Sequence, residues 1–116
     1  MTKSIYKINQ LGTKRWTING QLHREDGPAV EYASGTKFWY QNGLLHREDG
    51  PAAEWSSGTK CWYLNGKRHR EDGPAFEYAS EKKEWYLNDK LVGEGERPGN
   101  WEELILLARV EQVMND

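Results

Sequence analysis

The chain has 116 residues, a single cysteine (Cys61) and a formal net charge of −2, the size of one domain. One cysteine rules out an intramolecular disulfide framework and fits a reducing compartment. The near-neutral balance provides no global field to draw the chain onto nucleic acid or an anionic membrane. No window approaches the run of about 20 apolar residues needed to span a membrane. The first residues carry no signal-peptide core, so a cytoplasmic protein is expected.

Residues 1–11 read as an N-terminal arm. Three near-identical units then follow with a period of 23 residues: 12–34 (GTKRWTINGQLHREDGPAVEYAS), 35–57 (GTKFWYQNGLLHREDGPAAEWSS) and 58–80 (GTKCWYLNGKRHREDGPAFEYAS). A decayed copy, 81–96, keeps Trp85, Tyr86 and Asn88 but loses the His-Arg-Glu-Asp-Gly-Pro block. Terminal repeats are expected to be atypical, because they cap the stack instead of feeding another unit. Basic and acidic residues balance from 12 to 80, and the acidic excess lies from 81 onward.

Within a unit, β-prone runs flank two kinds of turn. Ser-Gly joins a hairpin such as Ala29 to Ala33 with Thr36 to Gln41, and Asn-Gly is a strong type I′ signal. The segment Asn42 to Gly50 returns the chain to the next unit, and local pairing within it remains open. If identical units stack by one repeated transformation, equivalent strands must point the same way. An antiparallel meander then needs an even number of sheet strands per unit, which favours two over three. The expected fold is mainly β: an antiparallel meander of stacked β-hairpin repeats forming one elongated sheet. Period-two alternation places Trp16, Trp39, Trp62 and Trp85 on one face and Tyr40, Tyr63 and Tyr86 on the other. Aromatic residues on both faces imply that both are partly covered, one of them by the return segments.

After Arg97-Pro98-Gly99 the pattern changes. Asn100 is a good N-cap with Glu103 three residues later, and 100–115 reads as a helix. Its apolar residues spread around most of the circumference, which predicts burial on more than one side. Leu106 and Val110 are the expected contacts of a homodimer or of a helix-mediated complex.

The Trp-Tyr-x-Asn-Gly runs at Trp39 to Gly43 and Trp62 to Gly66, with Gly35 and Gly58 opening their units, resemble the MORN-repeat superfamily in its divergent bacterial and phage versions. The resemblance covers about residues 12 to 92. The His-Arg-Glu-Asp-Gly-Pro-Ala block departs from that family's usual Gly-x-Gly continuation. What the resemblance implies is a non-catalytic scaffolding or binding protein in a bacterial or phage-infected cell. A phage- or mobile-element-encoded inhibitor of a host bacterial defence complex is one concrete version.

Several residue sets invite sharper readings. His23, His46 and His69 stand beside Arg, Glu and Asp, the types used in metal or acid–base sites. Their threefold recurrence argues against one converging active site, so neither catalysis nor a cofactor or metal is expected. A histidine stacked on the aromatic surface is the plainer reading. Arg24, Arg47 and Arg70 with Glu25, Glu48 and Glu71 form a charged ladder, read either as inter-repeat ion pairs or as a docking surface for a protein partner. The Lys14, Lys37, Lys60 and Lys83 row beside the tryptophans suggests a nucleic-acid groove, but Glu31, Glu54 and Glu77 recur at equal density and argue against it. A small-nucleotide sponge, with aromatic walls and Arg24-type phosphate contacts, is a further alternative. The slot before each repeat tryptophan holds Arg15, Phe38, Cys61 and Glu84. Such variety predicts exposure and makes Phe38 and Cys61 an apolar contact spot.

Overall fold

The computed structural model describes residues 4–115. Residues 1–3 of the expected arm, and residue 116, lie outside them. The described residues form fourteen strands and one helix, α1 (Trp101–Asn115). Ten strands make one open antiparallel sheet. Its path runs through β1 (Ile5–Ile8), β2 (Lys14–Ile18), β4 (Val30–Glu31), β5 (Lys37–Phe38), β8 (Ala53–Glu54), β9 (Lys60–Cys61), β12 (Phe76–Glu77), β13 (Lys83–Leu87) and β14 (Lys90–Glu94). The tenth, β3 (Gln21–Leu22), pairs with β2 off this path. The molecule is a slab measuring 48 × 36 × 17 Å.

Each of the two inner faithful repeats gives two strands to this sheet, as the stacking argument requires. The return segment pairs locally. In those repeats β6 (Tyr40–Gln41) pairs with β7 (Leu44–Leu45), and β10 (Tyr63–Leu64) with β11 (Lys67–Arg68), as separate two-stranded ribbons. The change of partner happens at the tryptophan. The Trp39 N–H donates to the Ala52 carbonyl in the sheet, while the Trp39 carbonyl accepts from His46 N–H in the return. Asn42 at φ 53° and Gly43 at φ 78° make the turn between β6 and β7, a pair of positive φ values that type I′ geometry demands.

Two rows cross the sheet. Lys14, Glu31, Lys37, Glu54, Lys60, Glu77 and Lys83 are successive cross-strand partners, so every neighbour carries the opposite charge, an arrangement that favours this register. The next row, on the opposite face, runs Arg15, Val30, Phe38, Ala53, Cys61, Phe76 and Glu84. This is the variable slot, and its expected exposure is corrected. Cys61 is 1% exposed and Glu84 9%, Phe38 is half-buried, and only Arg15 stands in solvent. Neighbouring rings close over the row: Phe76 lies 5.3 Å from Tyr86 and 5.9 Å from Tyr78, centroid to centroid. The Tyr78 hydroxyl donates to Glu84 at 2.6 Å, which gives the buried carboxylate a partner. Burial, reinforced by Glu84, pushes the Cys61 thiol up to about 12, so the thiol stays protonated and inert in the folded chain.

The two ends of the stack differ. At the N-terminal end the expected arm contributes an edge strand, β1, along which Ile5, Tyr6 and Ile8 are exposed. At the other end Trp85, Leu87, Trp101 and Ala108 form the main buried cluster, with Val92, Leu104 and Ile105 packed against it. The helix begins with Asn100 acting through its backbone, its carbonyl accepting from Leu104 N–H at 3.0 Å. In the single chain α1 packs on the sheet with one side, and the other side, expected to meet a partner, faces solvent.

Candidate functional site

The His-Arg-Glu-Asp-Gly-Pro loop folds back across the tryptophan face, and each arginine lies flat on the tryptophan of its own repeat. The guanidinium carbons of Arg24, Arg47 and Arg70 sit 3.8, 4.0 and 3.8 Å from the ring centroids of Trp16, Trp39 and Trp62, well inside cation–π range. Every fork is then anchored by polar partners. Nε donates to Asp26, Asp49 or Asp72 at 3.0, 3.0 and 2.9 Å, and an Nη donates to the carbonyl of Pro28, Pro51 or Pro74. Arg47 and Arg70 also reach Glu54 and Glu77.

The glycine of the loop leaves room for this packing, since a side chain there would have to displace the guanidinium. A Cβ on Gly50 would lie 2.8 Å from the Arg47 guanidinium carbon, and one on Gly73 2.6 Å from that of Arg70. The expected inter-repeat ion pairs are thus corrected for this set, because each arginine pairs inside its own repeat. Flat stacking needs the arginine and its carboxylates on one turn, which the loop provides locally.

Of this block, it is the histidines that reach the next repeat through their side chains. Nδ1 of His23, His46 and His69 accepts the N–H of Asn42, Asn65 and Asn88 in the following repeat at 2.9, 2.9 and 3.0 Å. A backbone N–H can only donate, so Nδ1 is bare and the proton of the neutral ring sits on Nε2. Nε2 faces the carboxylate two residues on, at 2.6 Å for Glu25, 3.9 Å for Glu48 and 3.4 Å for Glu71. The expectation of histidines merely stacked on aromatic rings is replaced by a staple at the next repeat's turn, Asn-Gly for His23 and His46 and Asn88-Asp89 for His69. Among the described residues no group of three or more His, Cys, Asp or Glu is placed to hold a metal ion.

The charged ladder therefore separates into an inner and an outer half. The arginines are largely covered, whereas Glu25 and Glu48 stand in solvent with Asp26, Asp49 and Asp72. Glu71 differs. It takes Arg109 of α1 at 2.6 Å, and that guanidinium holds its carboxyl below the usual range. Its backbone carbonyl also accepts the Trp101 indole N–H at 2.8 Å. Phe38 stands edge-on between Tyr32 and Trp55, at 5.8 and 5.5 Å, inside a half-covered aromatic patch.

The second candidate surface is the outer side of α1. Leu106 is 60% exposed, Leu107 55%, Val110 55%, Val113 75% and Met114 79%. Spacings of three, four and seven residues gather them on one helix face. Beside this stripe, between α1 and the β10–β11 ribbon, lies a cleft of about 410 Å³ bounded by Leu64, Lys67, Ala108, Arg109 and Val113. The spread of apolar residues around the helix was the signal available in the sequence. Which part of it stays bare depends on where the sheet presses. No helix of the described residues is long and apolar enough to cross a membrane. Comparison with protein-family models, with curated proteins and with solved structures gave no match.

Proposed function

We propose that the protein is a non-catalytic protein-interaction module whose docking element is the outer face of α1. The observation that carries this reading is the solvent-facing stripe of five large apolar side chains, from Leu106 to Met114, on a chain of mean hydropathy −0.97. An apolar patch of that kind on an otherwise polar protein marks a contact surface. The repeats support the reading from the other side. Their arginines, tryptophans and histidines are engaged in holding the stack, so the sheet works as a rigid platform that presents the helix. The same engagement weakens the nucleotide-sponge alternative, since each Arg24-type guanidinium already covers its own tryptophan. A phage- or mobile-element-encoded inhibitor of a bacterial defence complex is the narrower form, and it rests on the MORN-like resemblance alone.

The test is comparative capture from bacterial lysate with the wild-type chain and the Leu106→Glu/Val110→Glu double variant, read by mass spectrometry. Both positions are exposed, so the variant should melt with the wild type. A protein retained by the wild type and lost by the variant is the expected result. Identical capture by the two chains would remove α1 as the docking element.

A further inference from the structure

The sheet face opposite the tryptophans has no second layer. The arginine loops and α1 lie on the tryptophan side, where Arg24, Arg47 and Arg70 roof their rings and Trp101 meets Trp85. No other element of the described residues crosses the far face. Tyr32 and Trp55 flank Phe38 on it and are 39% and 38% exposed. A sheet face bearing such rings is ordinarily covered by another layer.

The order of charge along this face selects what covers it. The row from Arg15 to Glu84 is extended at both ends, because Lys7 pairs with Arg15 and Glu94 with Glu84. Directly paired residues share a face. The row therefore starts with two cations, ends with two carboxylates and is uncharged between them. Its middle strand is β8, the fifth of nine along the path. Lys7, Arg15 and Glu94 are exposed and make no ion pair among the described residues. Glu84 already holds the Tyr78 hydroxyl and lies 3.8 Å from Lys82, and Arg68 is taken by Asp89.

Two copies laid face to face about a two-fold axis parallel to the strands run their rows in opposite directions. Lys7 and Arg15 of each copy then meet the acidic end of the other, where Glu94 is the unmatched carboxylate. In the adjoining rows Trp55, which follows β8, meets its own counterpart near the axis, and Tyr32 meets Tyr78. Ile5, 58% exposed and paired with Thr17, meets Leu91, 49% exposed and paired with Tyr86. The other axis, along the row, sets cation on cation and carboxylate on carboxylate, which disfavours it. The broad face of the slab measures 48 × 36 Å, which exceeds the roughly 800 Å² per partner of a stable interface. An unrelated protein would have to reproduce this order of charge, whereas a second copy supplies it by symmetry. We infer that the chain forms a two-fold dimer, sheet against sheet, through this aromatic face. Both α1 stripes stay outside the contact, so the inference is independent of the role proposed for α1.

Sedimentation velocity of the full chain tests it, with charge exchanges at exposed positions. The wild type is expected to dimerise. Lys7→Glu/Arg15→Glu makes both ends of the row acidic, and Glu94→Lys puts a cation at both. Each should weaken self-association at least roughly tenfold. Mixing the two variants should restore a dimer, because each offers the end that the other lacks. Trp55→Glu should dissociate the wild-type dimer, and Leu106→Glu/Val110→Glu should leave it intact. Thermal melts followed by circular dichroism establish that the charge variants fold. A wild type that stays monomeric at submillimolar concentration, charge variants that dimerise as the wild type does, or a mixture that stays monomeric would overturn the inference. A dimer lost in the α1 variant would overturn it as well, by assigning self-association to the helix.

Discussion

The three faithful repeats and the decayed fourth solve one problem in two ways. In the faithful repeats an arginine of the same unit roofs the tryptophan, and the tryptophan stays half-buried. The fourth copy has lost that arginine, and Trp101 of the helix stands over Trp85 in its place, edge to face at 5.0 Å. Trp85 is then only 7% exposed, and its indole N–H donates to the Gly95 carbonyl. A charged roof carries its own carboxylates and tolerates water, so it can be repeated along a stack. An apolar roof excludes water but must be supplied by another element, which suits an end. The fourth copy also keeps glycine geometry without glycine: Glu81 holds φ 73° where Gly35 and Gly58 hold 98° and 102°.

The comparison can be broken most directly at the tryptophans. Trp85→Ala should cost about 3–5 kcal/mol, the range for a large buried aromatic. Trp39→Ala should cost about 2 kcal/mol, since the ring is half-exposed and its cation–π partner is partly hydrated. Urea unfolding of the two variants measures the gap, and equal costs would mean that the two roofs are energetically equivalent.

The roof itself comes next. Arg47→Ala should lose about 1.5 kcal/mol through the cation–π contact and the hydrogen bonds of the fork. Arg47→Lys should recover less than half of that, because an ammonium cannot stack flat and donate to Asp49 and Pro51 together. Full rescue by lysine would reduce the ladder to simple charge pairing.

The histidine staple sharpens the contrast between contacts within and between repeats. His46→Ala leaves the Asn65 N–H without its acceptor and should cost about 1 kcal/mol. His46→Asn, whose carbonyl oxygen falls near the Nδ1 position, should cost less. Amide hydrogen exchange at Asn65 reports the same event directly. Unchanged protection in the alanine variant would remove the staple.

The smallest effect has the opposite sign. Glu81→Gly should stabilise the chain by about 0.5–1 kcal/mol, because a non-glycine residue in the left-handed region is strained. A loss of stability at this position would show that the decayed copy gains something from Glu81 that its backbone does not reveal.

Much of the sheet was legible because it follows from local rules repeated in phase. Asn42-Gly43 specifies its own turn, alternation separates Trp39 from Tyr40, and the parity of identical strands limits each inner unit to two in the main sheet. What escaped depends on contacts distant in sequence or on how a loop folds back. The burial of Cys61 arises when Phe76, Tyr78 and Tyr86 from later in the chain close over its row, and substitution among Arg15, Phe38, Cys61 and Glu84 hides this. The pairing of Ile5–Ile8 with Lys14–Ile18 carries no repeat signature at all. Among the candidate site residues, Leu106 and Val110 stood out through the apolar excess of their helix, and both are exposed. Arg24, Arg47 and Arg70 stood out through recurrence, which residues that hold the stack and residues that bind a partner share alike.

The amino-acid sequence by itself determined the period, the turns, the class of fold and the presence of one terminal helix, because each rests on propensities and spacings within a few residues. Tertiary structure alone decided which charges turn inward. An arginine becomes a roof only when its loop brings it over a tryptophan, and a histidine becomes a staple only when the next repeat stands at hydrogen-bonding distance. It also decided which side of α1 remains bare, because a helix with apolar residues around most of its circumference has no single preferred face until Trp85 and Leu87 take one of them.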